Sequence, residues 1–170
     1  MSFMDTAQLL GNLGEFIGAI VIVVTLIYLA MQVRQNTNAL QAQSRQAVLS
    51  GAQAELFKLI ENPDISINMS KAESLTTEEQ VKLGHWFGAV MRLREFSWQQ
   101  YQNGIIDDVQ WSTELGIIQS VLSAHRSRTW WDSVGQNIFG AKFAAFVNDA
   151  LRDQPISDDL SKKMTDWANG

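Results

Sequence analysis

The sequence predicts an all-α protein: one N-terminal transmembrane helix, a helical stalk that prolongs it, and a cytoplasmic helical bundle. Three observations carry that prediction. The run from Phe16 to Val33, FIGAIVIVVTLIYLAMQV, holds eighteen residues and no charge. Only two prolines interrupt a chain of 170 residues. Beyond the run, apolar residues recur at three- and four-residue steps, and no segment alternates with period two over a useful length.

At 1.5 Å per residue the uncharged run forms a helix of roughly 27 Å, against a hydrocarbon core of about 30 Å. Leu9, Leu10 and Leu13 lengthen the apolar stretch when Glu15 sits at the interface. A core helix of a soluble protein would keep a polar face, and this run of Ile, Val and Leu has none. A cleaved signal peptide needs a basic start and small residues before the cut. Residues 1–15 contain no Lys or Arg, and Tyr28-Leu29-Ala30 puts a bulky residue where a small one belongs. Arg34 and Arg45 follow the run and no basic residue precedes it, so the positive-inside rule places the chain beyond it in the cytoplasm. The expected organisation is a short external N-terminus (1–15), the span (16–33), the stalk (34–61) and a cytoplasmic all-α domain (62–170).

Charge and composition narrow the function. The net charge is −5. Residues 34–60 carry Arg34, Arg45 and Lys58 against Glu55 alone, and the segment beyond them is acidic. Phosphate neutralisation needs clustered Lys and Arg, so nucleic acid is not an expected partner. The chain has no cysteine, which removes disulfides, iron–sulfur clusters, thiolate zinc sites and cysteine nucleophiles together.

One face of the span has its own pattern. Gly11, Gly18, Thr25 and Gln32 recur every seven residues, with Gly14 four before Gly18 and Asn36 four after Gln32. Small residues let helix backbones approach, and polar ones hydrogen-bond across an interface where lipid offers no partner. Ala39, Gln46 and Gln53 continue the same heptad position. The pattern points to homo-oligomerisation along a shared helix face.

The stalk contains no proline and only Gly51 as a breaker, and it stops at Asn62-Pro63. Leu56, Phe57, Leu59 and Ile60 give its end an apolar surface expected to dock on the helical domain. Asp64 is expected to cap a short helix through Met69. Thr76 and Glu79 have capping-box spacing and open a helix to about Gln102, ended by Gly104. Its buried face reads Leu83, Phe87, Val90 and Met91. Asp107 or Asp108 starts the next helix, with the stripe Trp111, Leu115, Ile118, Leu122 and His125. Ser127 is expected to cap a further piece carrying Trp131, Val134 and Ile138. Gly140 breaks it, and Phe143, Phe146, Val147 and Leu151 resume the pattern. A last helix after Pro155 would carry Leu160, Met164 and Trp167.

The order of several short motifs resembles a family of uncharacterised bacterial single-span membrane proteins. The residues that carry the resemblance are Ile27 to Thr37, Asn62-Pro63-Asp64, Leu75 to Glu79, Arg92 and Phe96, Tyr101 to Asp108, Trp111, Trp130-Trp131, and Phe143 with Phe146-Val147. The resemblance implies a bacterial inner-membrane protein. The family has no assigned activity, so no functional residue carries over.

No residue pattern points to catalysis. His85 and His125 lie on different helices; His125 reads as a core or helix-end histidine, and His85 lies between Gly84 and Trp86 where helices pack closely. Glu78-Glu79, Asp107-Asp108 and Asp158-Asp159 all sit at expected helix starts, where backbone N–H groups use them. The densest polar–aromatic cluster holds Arg126, Arg128, Trp130 and Trp131, a candidate contact for an anion or lipid headgroups. Its plainer reading is a helix corner with tryptophans inside and arginines in water. The expected function is therefore a membrane-anchored, homo-oligomeric interaction or scaffold protein, not an enzyme and with no cofactor or metal. Its partners would be the bilayer, further copies of the chain and an unidentified protein. One alternative is a channel lined by the heptad stripe with Glu15 at its mouth. Another is a small-ligand sensor in the cytoplasmic domain.

Overall fold

The structure, a computed structural model, describes residues 3–158. The fold is all-α, and no strand occurs among the described residues. The expected helix carrying Leu160, Met164 and Trp167 lies outside them. In order the helices are α1 (Phe3–Glu61), α2 (Pro63–Ser70), α3 (Thr77–Gln102), α4 (Asp108–Val121) and α5 (His125–Trp130). A π-helical turn (Trp131–Gly135), the short α6 (Gln136–Ile138) and α7 (Ala141–Ala150) follow. The chain divides into two compact units, Met1–Gln43 and Ser44–Gly170, and the division falls inside the segment read as stalk.

The first unit is helix. Its large apolar residues from Phe16 to Val33 are 47% to 65% exposed. α1 is long and apolar enough to cross a membrane, and none of its apolar window is buried. A soluble core helix would have that window covered. The polar side chains of the run are satisfied locally. Thr25 Oγ1 donates to the Val21 carbonyl at 2.7 Å, and Gln32 Nε2 donates to the Tyr28 hydroxyl at 2.9 Å. Such back-bonding lowers the cost of polar groups in lipid, where water is absent.

In the second unit apolar residues turn inward. Leu83, Phe87, Val90 and Met91 are buried on α3, as its spacing predicts. Trp131, Phe143, Ile118, Leu122 and Val147 are all but inaccessible and form the main core with Met91 and Trp111. Each such side chain contributes about 1.5–3 kcal/mol through burial. A smaller cluster of Ile65, Leu83 and Phe87 joins α2 to α3 and takes in Leu59 of α1.

Local signals set most ends. The Thr76–Glu79 capping box forms, with Glu79 N–H donating to Thr76 Oγ1 and Thr76 N–H to Glu79 Oε2. α3 ends at Gly104 with φ +67°, where Gly104 N–H reaches Tyr101 and Ile105 N–H reaches Gln100. Those two bonds are a Schellman motif, and the left-handed position favours glycine. Asp107 caps α4 by accepting from Gln110 N–H at 2.9 Å. Gly140 begins α7 and donates its N–H to Glu95 at 2.8 Å.

Four expectations change. Asp64 does not cap α2, because Pro63 already occupies the first turn; its carboxylate pairs with Lys82 at 2.9 Å. The Trp111 stripe ends at Leu122, since α4 terminates there and His125 opens α5 as an exposed residue. Ser127 lies within α5, buried, and its hydroxyl donates to carbonyls of the preceding corner. The cap at His125 N–H comes from Asp158, 33 residues downstream, and the helix expected to start at Asp158-Asp159 lies beyond the described residues.

Candidate functional site

The site grows from how the end of α1 packs. From Ser44 onward, the face carrying Ser44, Val48, Gly51, Glu55 and Leu59 meets the bundle, while Leu49, Leu56, Phe57 and Ile60 are 59% to 73% exposed. The expected docking surface is thus only partly correct: Leu59 docks, and Leu56, Phe57 and Ile60 do not. Gly51 is no breaker. A Cβ there would stand 2.8 Å from Leu93 Cδ1, so glycine allows α1 to lie close against α3. Ser44 donates to Gln100 at 3.1 Å, and Arg45 pairs with Asp107 at 2.8 Å at the N-terminus of α4.

That approach brings three charges into the interior. Arg94 of α3 has a side chain only 3% exposed. Its Nη2 donates to Glu55 Oε2 at 2.8 Å, and its Nη1 stands 3.3 Å from Glu114 Oε2 of α4. Arg94 follows Phe87, Val90 and Met91 on the buried face of α3, which is why the guanidinium points inward. One cation between two carboxylates leaves a formal excess of one negative charge. Burial pushes the carboxyls of Glu55 and Glu114 above the usual carboxylate range, against the opposing pull of Arg94.

Beside this triad lies a cleft of about 430 Å³. Leu56 and Leu59 of α1, Val90 of α3 and Ile117 and Val121 of α4 give it apolar walls, and Glu55, Arg94 and Trp86 also line it. Each of the last three holds a buried polar atom without a hydrogen-bond partner: Glu55 Oε1, Arg94 Nε and Trp86 Nε1. Buried polar groups are nearly always bonded, and three of the unpartnered ones gather at this cleft, while others such as Trp98 Nε1 and Gln154 Oε1 lie elsewhere. An apolar pocket with a few polar groups is the usual form of a small-molecule site.

The residues singled out by sequence lie elsewhere. Gly11, Gly14, Glu15, Thr25, Gln32 and Asn36 are exposed along the first unit, and Gly18 is half-buried. In the second unit Trp131 is fully buried and donates its indole N–H to Asn148 at 2.8 Å. Trp130 packs against Phe87, its indole also close to Gly84. Arg126 donates to the carbonyls of Asn68 and Glu73, and Arg128 Nε donates to that of Leu122 at 2.9 Å. The guanidiniums thus bond backbone carbonyls at helix ends. Arg126 and Trp130 also line a second, more open groove of about 460 Å³ with His125, Thr129 and Ser133. Gly135 is fixed by the tryptophan pair, since a Cβ there would stand 2.7 Å from Trp131 and 2.9 Å from Trp130. Among the described residues no three His, Asp or Glu side chains gather as a metal site.

Sequence reading missed the triad, although a signal existed. Arg94 and Glu114 each stand at a stripe position of an apolar helix face, three residues from Met91 and from Trp111. A charge on such a face needs a partner. Compared with known proteins, the chain matches no family model, and no curated protein or solved structure matches it.

Proposed function

We propose that the chain is a membrane-anchored interaction module that assembles with copies of itself along α1. The observation that carries this reading is the exposed seam at the end of that helix. Gln46, Leu49, Gln53, Leu56 and Ile60 follow alternating three- and four-residue steps, and all are exposed. They lie about a third of a turn from the face carrying Val48 and Leu59. Three large aliphatic residues at that spacing, open to water, fit a parallel coiled-coil partner. Counting back in the same steps reaches Ala42, Ala39, Gln35, Gln32, Tyr28, Thr25, Val21, Gly18, Gly14 and Gly11, which includes the small and polar face noted in the sequence. Lipid-exposed glycines and a hydrogen-bonding glutamine suit helix association in a bilayer. In this reading α1 crosses a bacterial inner membrane with its N-terminus outside, and the helical unit is presented in the cytoplasm, in keeping with Arg34 and Arg45 after the span.

The absence of native cysteine makes the test clean. Single cysteines at Leu49 and Leu56, on the seam, should give disulfide-linked dimers when membranes containing the full chain are oxidised. Cysteines at Ala47 and Ala54, exposed on another face, should not. Monomers alone, or equal crosslinking at all four positions, would reject assembly along this seam.

A further inference from the structure

The cleft beside Glu55 and Arg94 carries a second inference, tested by ligand binding and not by crosslinking. We propose that it binds a small organic amine, with an apolar group between the aliphatic walls and an ammonium against Glu55.

Glu55 and Arg94 are the charged residues lining the cleft, and Glu114 holds Arg94 from behind. Two carboxylates share one guanidinium, so the local balance is one negative charge in excess. In a poorly hydrated interior that excess is costly, and a bound cation or a proton removes it. Glu55 commits one oxygen to Arg94 at 2.8 Å and leaves Oε1 without a partner. An ammonium N–H donates to that oxygen. An anionic headgroup would instead add to the excess.

The walls select the remainder of the ligand. Leu56, Leu59, Val90, Ile117 and Val121 are aliphatic, and the volume of about 430 Å³ lies at the lower end for small-molecule sites. Trp86 lines the same space and has an unpartnered indole N–H. An ether or hydroxyl oxygen on the ligand would satisfy it. Gly116 completes the wall on α4, and a Cβ there meets nothing within 4 Å. A larger side chain at that position would meet no protein atom at its Cβ and would take up room at the cleft wall, while improving helix propensity.

Three probes with one tail and different heads test the proposal: 4-phenylbutylamine, 4-phenylbutanol and 4-phenylbutanoate. They would be titrated calorimetrically into the full chain in lipid nanodiscs, with empty nanodiscs as the blank. The amine should bind saturably and at least about tenfold more tightly than the other two, the scale of one hydrogen bond to a charged group. Glu55→Gln should reduce the amine to the level of the alcohol. Gly116→Leu should weaken the amine by about tenfold or more through loss of space, without depending on the charge cluster. Equal binding of amine and alcohol overturns the proposal, as does no saturable amine binding to the unaltered chain. So does an amine preference that survives Glu55→Gln, or amine binding unchanged in Gly116→Leu. If Glu55→Gln fails to fold, the head-group comparison and Gly116→Leu still decide.

Discussion

The two units solve opposite solvation problems with the same kind of element. In Met1–Gln43 the isoleucines and valines stand outward, and Thr25 and Gln32 within the uncharged run bond to their own helix. In Ser44–Gly170 an apolar core forms around Met91, Ile118, Trp131 and Phe143, and a charged triad is buried beside it. Hydrophobic content therefore says little by itself about which residues are covered. What differs is the pattern: a largely apolar surface around the uncharged run of α1, and stripes elsewhere. One continuous α1 belongs to both regimes, and within it Val48 is buried while Leu49 is 59% exposed.

The strongest way to break the contrast is at Arg94. Arg94→Ala leaves two buried carboxylates without their cation and should destabilise the second unit by about 3–5 kcal/mol. Urea denaturation of the full chain, followed by tryptophan fluorescence, measures it. A loss below 1 kcal/mol would mean that water reaches the triad freely.

A matched pair sharpens the same contrast with one chemical change. Ile118 is fully buried and Ile22 is 62% exposed. Ile118→Ala should cost about 2–5 kcal/mol by cavity formation. Ile22→Ala should leave the unfolding free energy of the second unit within about 0.5 kcal/mol of the parent. Comparable losses at both sites would contradict the outward placement of the first unit's side chains.

The smallest effect is read through pH. Glu55 and Glu114 are raised above their ordinary value of 4.5, with burial the larger cause and Arg94 opposing it. The folded state then holds its protons more tightly than the unfolded one. These groups favour folding most in acid, and that advantage falls as pH rises from about 4.5 through the raised values. Glu79 works the other way. The Thr76 N–H, with Lys71 beside it, lowers its carboxyl, so its contribution is full above 4.5 and fades as pH drops through the lowered value. Glu114→Gln should therefore flatten the loss of stability as pH rises above about 4.5 and leave the acid limb unchanged. A variant with the same slope as the parent above that pH would show that Glu114 does not titrate there.

Legibility in the sequence followed the range of the interaction. The uncharged run, the capping box, the Gly104 end and the Asp107 cap depend on residues a few positions apart, and each was readable. The face by which α1 joins the bundle was not. Its contacts use Ser44, Gly51 and Glu55, and the conspicuous Leu56, Phe57 and Ile60 stay exposed. The triad joins residues 39 positions apart on α1 and α3 and adds a third on α4, so no local motif could announce it. Helix starts at Asp64 and Ser127 were misplaced for a related reason. Pro63 and the long-range Asp158 contact decided those ends, and neither is visible to a rule that scans for the nearest capping side chain.

The Asp158 contact also has a bearing on biosynthesis. Its carboxylate accepts the first N–H of α5 from 33 residues downstream, and the neighbouring Ser157 N–H bonds Ser123. A nascent chain that has just delivered His125 cannot yet complete that corner. At 5–20 residues per second the missing cap arrives about 2–7 s later. During that interval the first N–H of α5 lacks the partner it has in the folded chain.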